Sequence, residues 1–349
     1  ATFALAPPAQ PTLTVTKAGS GGGTVSSAPA GIACGATCEA SFDPAASVTL
    51  SATAAAGSVF SGWGGACSGK GACTVAMSAA RSVTAYFSLP ANVPRLGNIS
   101  TRMQVLTGDN VLIGGFVIGG TQAKQVVVRA GGPSLTAQGV PGALQDPMLR
   151  LFSGQTVIAS NDDWGQSADA AAIESSGFKP NDPRESAILA TLGPGRYTAI
   201  VEVAAGATGV GLIEVFEVDK PEVPLVNIAT RGQVLTGDDV MIGGFIISGD
   251  APQTVIVRAR GPSLTAQGVQ GALQDPVVQL YSGQTVIASN DDWQQAGNAA
   301  AIQSAGFAPA NGKEAAILVT LQPGGYTAIV TGAGGTTGVA IIEVFAVLP

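Results

Sequence analysis

Histidine is absent from this sequence of 349 residues, and charged residues make up only 11% of it. Without histidine the chain has no Ser-His or Cys-His nucleophile pair, and it lacks the commonest general base and metal ligand. The 16 Lys and Arg against 23 Asp and Glu leave a formal net charge of −7, which argues against a surface that neutralises nucleic-acid phosphates. We therefore predict a protein that is not an enzyme and does not bind nucleic acid.

Long hydrophobic runs are also absent, although 46% of the residues are hydrophobic. No stretch reaches the roughly 18 apolar residues of a membrane span. The densest stretches, 111–118 and 210–218, are short and interrupted by glycine or glutamate, which is typical of buried strands. The chain begins with Ala1 rather than Met, as expected after removal of a leader segment. We expect a secreted, extracellular or cell-surface protein without a membrane span.

Cysteine is scarce too, and all four cysteines lie in the first quarter of the chain: Cys34, Cys38, Cys67 and Cys73. Small cysteine-bearing domains of exported proteins usually hold disulfides. A zinc site with four thiolate ligands is the alternative. We favour disulfides, because the neighbouring Gly, Ala and Ser residues offer thiolates no electrostatic support.

An internal repeat dominates the rest of the sequence, with matching segments offset by 129 positions. The repeated pairs are 104–109 with 233–238, 132–139 with 261–268, 159–164 with 288–293, 197–201 with 326–330, and 213–216 with 342–345. A unit of this length is domain-sized rather than a solenoid repeat. The predicted organisation is an extension at 1–11, a cysteine-bearing domain at 12–88, and two repeats at 95–218 and 225–349. Short proline-containing linkers join these units, and we expect them to act as stiff spacers between separate domains.

Each repeat is predicted to consist of β-strands separated by Gly, Pro, Asn and Asp clusters, as in a β-sandwich or jelly roll. The strand candidates of the first repeat are 111–118, 125–130, 148–152, 156–160, 186–191, 196–203 and 210–218. Residues 168–176, followed by Gly177, form the one predicted short helix, because glycine commonly ends a helix.

The cysteine-bearing domain carries five recognisable segments, at 13–16, 22–25, 48–50, 57–63 and 83–87. In these it resembles the divergent internalin-B-type bacterial repeat. The resemblance implies a small β-grasp-like module of bacterial surface proteins, without chemistry of its own. Alternating apolar strands would pack around Phe60, Trp63 and Phe87. Disulfides Cys34–Cys38 and Cys67–Cys73 would each bracket one turn, although the other two connectivities stay open.

The second half of each repeat carries segments at 151–154, 158–164 and 192–197 of the first copy. In these the repeats resemble the bacterial pre-peptidase C-terminal domain and related β-sandwich modules of secreted proteins. The resemblance implies adhesion or display, and some such modules bind calcium. The predicted fold class is all-β, with one small disulfide-stapled β-grasp-like domain and two tandem jelly-roll-like β-sandwiches.

Two Asn-Asp-Asp turns are the candidate metal sites: Asn161, Asp162 and Asp163, with Asn290, Asp291 and Asp292. Oxygen ligands in a turn suit Ca²⁺, which takes six to eight of them. Three consecutive residues cannot complete that shell. The alternative is an Asx-rich turn whose side chains bond their own backbone, and the sequence leaves both open.

Repeated polar residues within the apolar strands are the other candidates. The charged ones are Arg102, Arg129 and Glu214, which recur as Arg231, Arg258 and Glu343. They form either buried or interfacial ion pairs, or solvated outward positions, and the sequence does not decide between these.

Ser134 and Ser263 lie in Gly-Pro-Ser-Leu rather than in a nucleophile elbow, and no histidine is present to activate them.

The low charge and the apolar N-terminal segment lead to the functional prediction. Phe3 and Leu5 alternate as in a strand that could add to the sheet edge of another subunit, and the prolines that follow would end it. Such head-to-tail contacts propagate into a filament. We expect a bacterial surface filament made of this chain alone. The alternative is a monomeric calcium-dependent adhesin or carbohydrate-binding module, with host or matrix glycans as partners.

Overall fold

A computed structural model describes residues 10–35, 38–203 and 207–347. Strands account for 53% and helices for 11%, which confirms the all-β fold class. Within the described ranges no helix is long and apolar enough to cross a membrane. The α-helices are short: α1 (Pro133–Ala137), α2 (Ala170–Ser175), α3 (Pro262–Thr265) and α4 (Ala299–Ser304).

The N-terminal domain contains two four-stranded sheets, ordered β4-β1-β8-β6 and β3-β2-β5-β7. Its strands are β1 (Thr12–Ala18), β2 (Gly23–Ala28), β3 (Ala33–Cys34), β4 (Glu39–Ser41), β5 (Ser47–Ala54), β6 (Val59–Gly65), β7 (Cys73–Ala76) and β8 (Arg81–Ser88). The first strand pairs in parallel with the last. Phe60 packs edge-on against Trp63, with ring centroids 4.8 Å apart. Disulfides join Cys34 to Cys38 and Cys67 to Cys73, so each spans one local turn beside this small core.

The first repeat contains eight strands, and the second contains the equivalent eight. Those of the first are β9 (Arg95–Val105), β10 (Leu112–Ile118), β11 (Lys124–Gly131), β12 (Pro147–Ser153), β13 (Thr156–Asn161), β14 (Ser186–Leu192), β15 (Gly195–Val203) and β16 (Gly209–Glu217). Those of the second are β17 (Leu225–Val234), β18 (Met241–Ser248), β19 (Gln253–Arg260), β20 (Pro276–Ser282), β21 (Thr285–Asn290), β22 (Ala315–Leu321), β23 (Gly324–Gly332) and β24 (Gly338–Ala346). All seven predicted strands are present, and α2 lies within the predicted helix. The first strand of each repeat was not predicted.

That unpredicted strand joins the two repeats. Strand β9 pairs with β16 of its own repeat and with β18 of the other, while β17 pairs with β24 and with β10. The result is one continuous sheet in the order β13-β12-β15-β10-β17-β9-β18-β23-β20-β21. One hydrophobic core contains residues of both repeats. The expectation of two separate domains on a stiff spacer is therefore corrected, because each repeat completes a sheet of the other.

An approximate two-fold axis relates the repeats. The hydroxyl oxygens of Thr101 and Thr230, which are equivalent residues, lie 2.8 Å apart in the buried interior. Leu96 pairs with its own equivalent, Leu225. Contact between equivalent residues is the mark of an isologous interface, as in a two-fold symmetric dimer. The tandem repeats therefore have the geometry of a dimer within one chain.

Both linkers are held against these repeats, the first through the Asn92 carbonyl, which accepts from the Asp250 backbone N–H at 3.1 Å. The Asp250 carboxylate accepts a hydrogen bond from the Ser20 backbone N–H at 2.6 Å and another from the Ser88 hydroxyl, which fixes the N-terminal domain to the second repeat. In the second linker, the Lys124 ammonium donates to the carbonyls of Asp219 and Lys220 at 2.7 and 2.8 Å.

Candidate functional site

The predicted subunit-interface residues Phe3 and Leu5 lie outside the described part of the chain. The surfaces that could receive such a segment are within it. Strands β13 and β21 form the two ends of the ten-strand path, so each has one edge without a neighbour on that path. Unpaired strand edges are templates for added strands.

These two edge strands also expose apolar side chains. Val157 and Ile158 of β13 are 46% and 43% exposed, and Val286 and Ile287 of β21 are 45% and 43% exposed. The pairing register shifts at each of these pairs, because Ile158 and Ile287 have no partner on the neighbouring strand and are bulged residues. Each edge strand therefore presents two adjacent exposed apolar side chains at a β-bulge.

The second repeat contains a cluster of three carboxylates, Asp275, Asp291 and Asp292, whose nearest oxygens lie within 4.8 Å of one another. The Oδ1 atoms of Asp275 and Asp292 are buried without a hydrogen-bond partner. Lys313 lies at one side, with its Nζ 3.4 Å from Asp275 Oδ2 and 3.5 Å from Asp292 Oδ1. Among the described residues no other set of three His, Cys, Asp or Glu ligand atoms is so closely spaced.

Both Asn-Asp-Asp turns hold an aspartate with a raised pKa. Burial raises the pKa of Asp291, the charges of Asp275 and Asp292 raise it further, and Lys313 opposes them. Burial likewise raises the pKa of Asp162, followed by the charges of Asp146 and Asp163. Neighbouring carboxylates in each turn therefore hold negative charge at a cost that a bound cation would reduce.

The asparagines of the two turns bond to the backbone through both ends of their side-chain amides. The Asn161 side-chain oxygen accepts from the Ala187 backbone N–H at 2.8 Å, and its amide nitrogen donates to the Asp163 carbonyl at 3.0 Å. Asn290 makes the equivalent bonds, to Ala316 at 2.8 Å and Asp292 at 3.2 Å. Each asparagine therefore ties its turn to the next strand, as in the Asx-turn alternative.

Asp275 is the carboxylate that the sequence analysis missed. It precedes β20 in Gln274-Asp275-Pro276, and the first repeat has the same three residues around Asp146. Because charged residues are so rare in this chain, the recurrence of this aspartate in both repeats was the sequence signal for a site residue. Its proximity to Asp291 arises only because β20 and β21 form an antiparallel hairpin.

The Gly-Pro-Ser-Leu motifs are caps of short helices. Glu185 is buried, and its Oε1 accepts from the backbone N–H groups of Gly132 and Ser134 at 2.9 and 3.0 Å and from the Ser134 hydroxyl at 2.6 Å. Glu314 holds Ser263 in the same way. The serine hydroxyl therefore donates to a carboxylate that fixes the start of the helix.

Replacing Glu185 by alanine should reduce the free energy of unfolding by at least about 1.5–3 kcal/mol, the contribution of a single hydrogen bond to a charged group. The variant leaves two buried backbone N–H groups and one hydroxyl without their acceptor. Urea unfolding followed by circular dichroism measures the loss. Ser134→Ala removes only the hydroxyl donor and serves as the control, so an equal loss in both variants contradicts this role for Glu185.

The repeated charges form partly buried ion pairs. Arg129 Nη2 lies 2.5 Å from Glu214 Oε2, and Arg258 Nη2 lies 2.7 Å from Glu343 Oε2. In both repeats the arginine also packs over a phenylalanine ring of the neighbouring strand. Arg102 shares a sheet face with Glu214, and Arg231 shares one with Glu343. Neither arginine has an ion-pair partner among the described residues.

Burial raises the pKa of Glu214 above the ordinary value, outweighing the Arg129 guanidinium beside it, and Glu185 adds to the rise. Compared with the unfolded chain, the folded state therefore holds the Glu214 proton to a higher pH, and stability from this group is lost as pH rises from about 4.3, the ordinary glutamate value, through the raised pKa. Glu214→Gln should remove this dependence. Unfolding free energies at pH 4 and pH 7 test it, and an unchanged pH slope in the variant contradicts the assignment.

Comparison with known proteins finds a family match for the first domain. Residues 13–91 match the family model of the Divergent InlB B-repeat domain. The resemblance of the first domain is thereby confirmed, whereas that of the repeats to pre-peptidase C-terminal domains stays a prediction. Comparison with curated proteins gives no match.

Similar solved structures include the STIV MCP, at 11% identity over 74% of this chain and 92% of that chain, with a TM-score of 0.20. Another is a DUF4785 family protein from Legionella pneumophila, at 8% identity over 74% of this chain and 80% of that chain, with a TM-score of 0.23. TM-scores this low do not establish a shared fold.

The N-terminal domain forms a groove of about 520 Å³ with the second repeat. Trp63, Lys70 and Tyr86 line it from the N-terminal domain, and Asn298 lines it from the repeat. The Asp250 carboxylate fixes this junction. Burial acts to raise the pKa of Asp250, but the hydrogen bonds from Ser20 and Ser88 outweigh it and hold the pKa below the usual value.

Proposed function

We propose that this chain is a non-catalytic extracellular structural protein, the subunit of a bacterial surface filament that assembles head to tail through its N-terminal strand. The observation that carries the proposal is the pair of apolar edge strands, β13 and β21, at the ends of the continuous sheet. A neighbour's segment containing Phe3 and Leu5 would pair with such an edge and cover its exposed valine and isoleucine. The InlB B-repeat match and the two disulfides are consistent with a secreted or surface protein.

Negative-stain electron microscopy of the purified chain tests this proposal. The full chain should form uniform fibres, and removal of residues 1–10 should leave dispersed particles. Val157→Lys combined with Val286→Lys should also abolish fibres, because each edge strand then carries a charge. Leu89→Lys is the matched control, since Leu89 is equally exposed but lies in a linker. Fibres that persist without residues 1–10 contradict the proposal.

The second candidate is a calcium-dependent adhesin or carbohydrate-binding module related to pre-peptidase C-terminal domains. The Asp275, Asp291 and Asp292 cluster favours it, because two buried carboxylate oxygens there have no hydrogen-bond partner. Three carboxylates would supply part of a calcium shell, and water would supply the rest. Host or matrix glycans would then be the partners.

Thermal melting with calcium and with chelator tests this second candidate. At a calcium concentration 100 times the dissociation constant, binding should stabilise the fold by about 2.7 kcal/mol. Asp291→Ala should abolish the effect, and the fluorescence of the adjacent Trp293 should respond only in the parent chain. Asp162→Ala in the first repeat is the control and should leave the effect in place. A melting curve that calcium does not change eliminates this candidate.

A further inference from the structure

A pocket of about 360 Å³ is lined mostly by the first repeat and, on one side, by β18 and β23 of the second. Its charged lining side chains are Arg102, Arg129, Glu185 and Glu214, and Ser100, Ser134 and Asn181 add polar groups beside Gly131. Strand register places Gly131 opposite Leu212 and Glu214 opposite both Arg129 and Ser100. The pocket therefore opens beside the Glu214 carboxylate, where Gly131 contributes no side chain.

The equivalent position in the second repeat is filled by the protein itself. Arg260 stands where the first repeat has Gly131. Its Nε lies 2.8 Å from Glu343 Oε2, and its Nη1 donates to the Ser263 hydroxyl at 3.4 Å. Glu343 and Ser263 are the equivalents of Glu214 and Ser134. A guanidinium group therefore occupies the second repeat's version of the pocket.

Two further differences accompany this one. Ser100 and Asn181, which line the open pocket, are replaced by Ala229 and Ala310 in the second repeat. The second repeat, which supplies the guanidinium of Arg260, therefore lacks these two polar side chains. The first repeat, which has Gly131 there, keeps both. Glu343 contacts the guanidinium groups of Arg258 and Arg260, whereas Glu214 contacts only that of Arg129.

We propose that the first-repeat pocket binds a small ligand through a guanidinium or alkylammonium group, which takes the place that Arg260 holds in the second repeat. The nearby arginines do not forbid a cation, because the second repeat holds Arg260 on the sheet face that also carries Arg231 and Arg258. Arg102 and Arg129 share the corresponding face with Gly131. Ser100 and Asn181 provide additional hydrogen-bonding groups for the ligand. A guanidinium and an ammonium share the charge and donors that this carboxylate recognises.

Calorimetric titration of the full chain with agmatine at low ionic strength tests the proposal. The parent protein should bind one agmatine, and methylguanidine and butylamine show which cation it prefers. Gly131→Arg should weaken binding at least tenfold by placing a guanidinium in the pocket. A Cβ at Gly131 meets nothing closer than 3.5 Å, so Gly131→Ala is a tolerated control that should retain binding.

A reciprocal variant keeps the test decisive if Gly131→Arg fails to fold. Arg260→Gly with Ala229→Ser and Ala310→Asn rebuilds the first-repeat lining in the second repeat, so the stoichiometry should rise from one to two. The proposal is overturned by absence of saturable agmatine binding, by binding that Gly131→Arg leaves unchanged, or by a stoichiometry that stays at one. Binding of acetate in place of the cations overturns it as well, since the pocket would then serve its arginines.

Discussion

Glu217→Gln should lower the free energy of unfolding by about 3–5 kcal/mol, because it leaves the buried Lys124 ammonium and the Arg95 guanidinium without the carboxylate that they share. Lys124 is fully buried, and its Nζ lies 3.0 Å from Glu217 Oε2. The carbonyls of Asp219 and Lys220 also accept from Nζ but carry no charge to replace that of the carboxylate. Urea unfolding at pH 7, followed by circular dichroism, measures the loss.

Two comparisons make this measurement specific. Glu174→Gln removes the carboxylate of an exposed pair with Lys179 and should change stability by no more than about 0.5 kcal/mol. The second repeat has Gln253 and Ala346 at the positions equivalent to Lys124 and Glu217. Lys124→Gln combined with Glu217→Ala should therefore recover at least half of the loss. A single-variant loss below about 1 kcal/mol would show that Glu217 does not hold the buried charge.

The sequence predicted much of each repeat because local patterns specify it. Alternating apolar residues and glycine-rich turns mark β10 to β16, and the 129-residue offset transfers them to the second copy. Strand β9 was missed because two of its buried residues, Asn98 and Thr101, are polar. They are buried in an interface that exists only when both repeats are folded together, so a pattern within one repeat does not show it.

Prediction of the candidate sites was limited for the same reason, because local sequence patterns do not show which distant residues meet. The Asp291 and Asp292 pair is contiguous and was predicted, whereas Asp275 joins it only through the pairing of β20 with β21. The Gly131 and Arg260 difference is visible when the repeats are aligned. Its meaning depends on the strand register that places Arg260 opposite Ile341, from where its side chain reaches Glu343.

The two repeats, produced as separate chains of residues 95–218 and 225–349, should pair with each other in preference to themselves. Near the axis, Met103 of the first repeat faces its own equivalent, Gly232 of the second. A Cβ on Gly232 would lie 1.7 Å from Met103 Cε, so the methionine fills the space that the glycine leaves. Pairing of two first repeats sets methionine against methionine, and pairing of two second repeats leaves a void in place of it.

Native mass spectrometry of an equimolar mixture should show the heterodimer at least tenfold above either homodimer. The preference arises because the heterodimer interface is well packed, whereas one homodimer has a clash and the other a void. Met103→Gly in the first repeat should remove it, because all three pairings then carry the same void. Exchanging the two residues, with Met103→Gly in the first repeat and Gly232→Met in the second, should restore it. Stable monomers of both repeats would show that β9 and β17 do not hold the tandem together. Dimers at statistical proportions would show that Met103 and Gly232 do not set the preference.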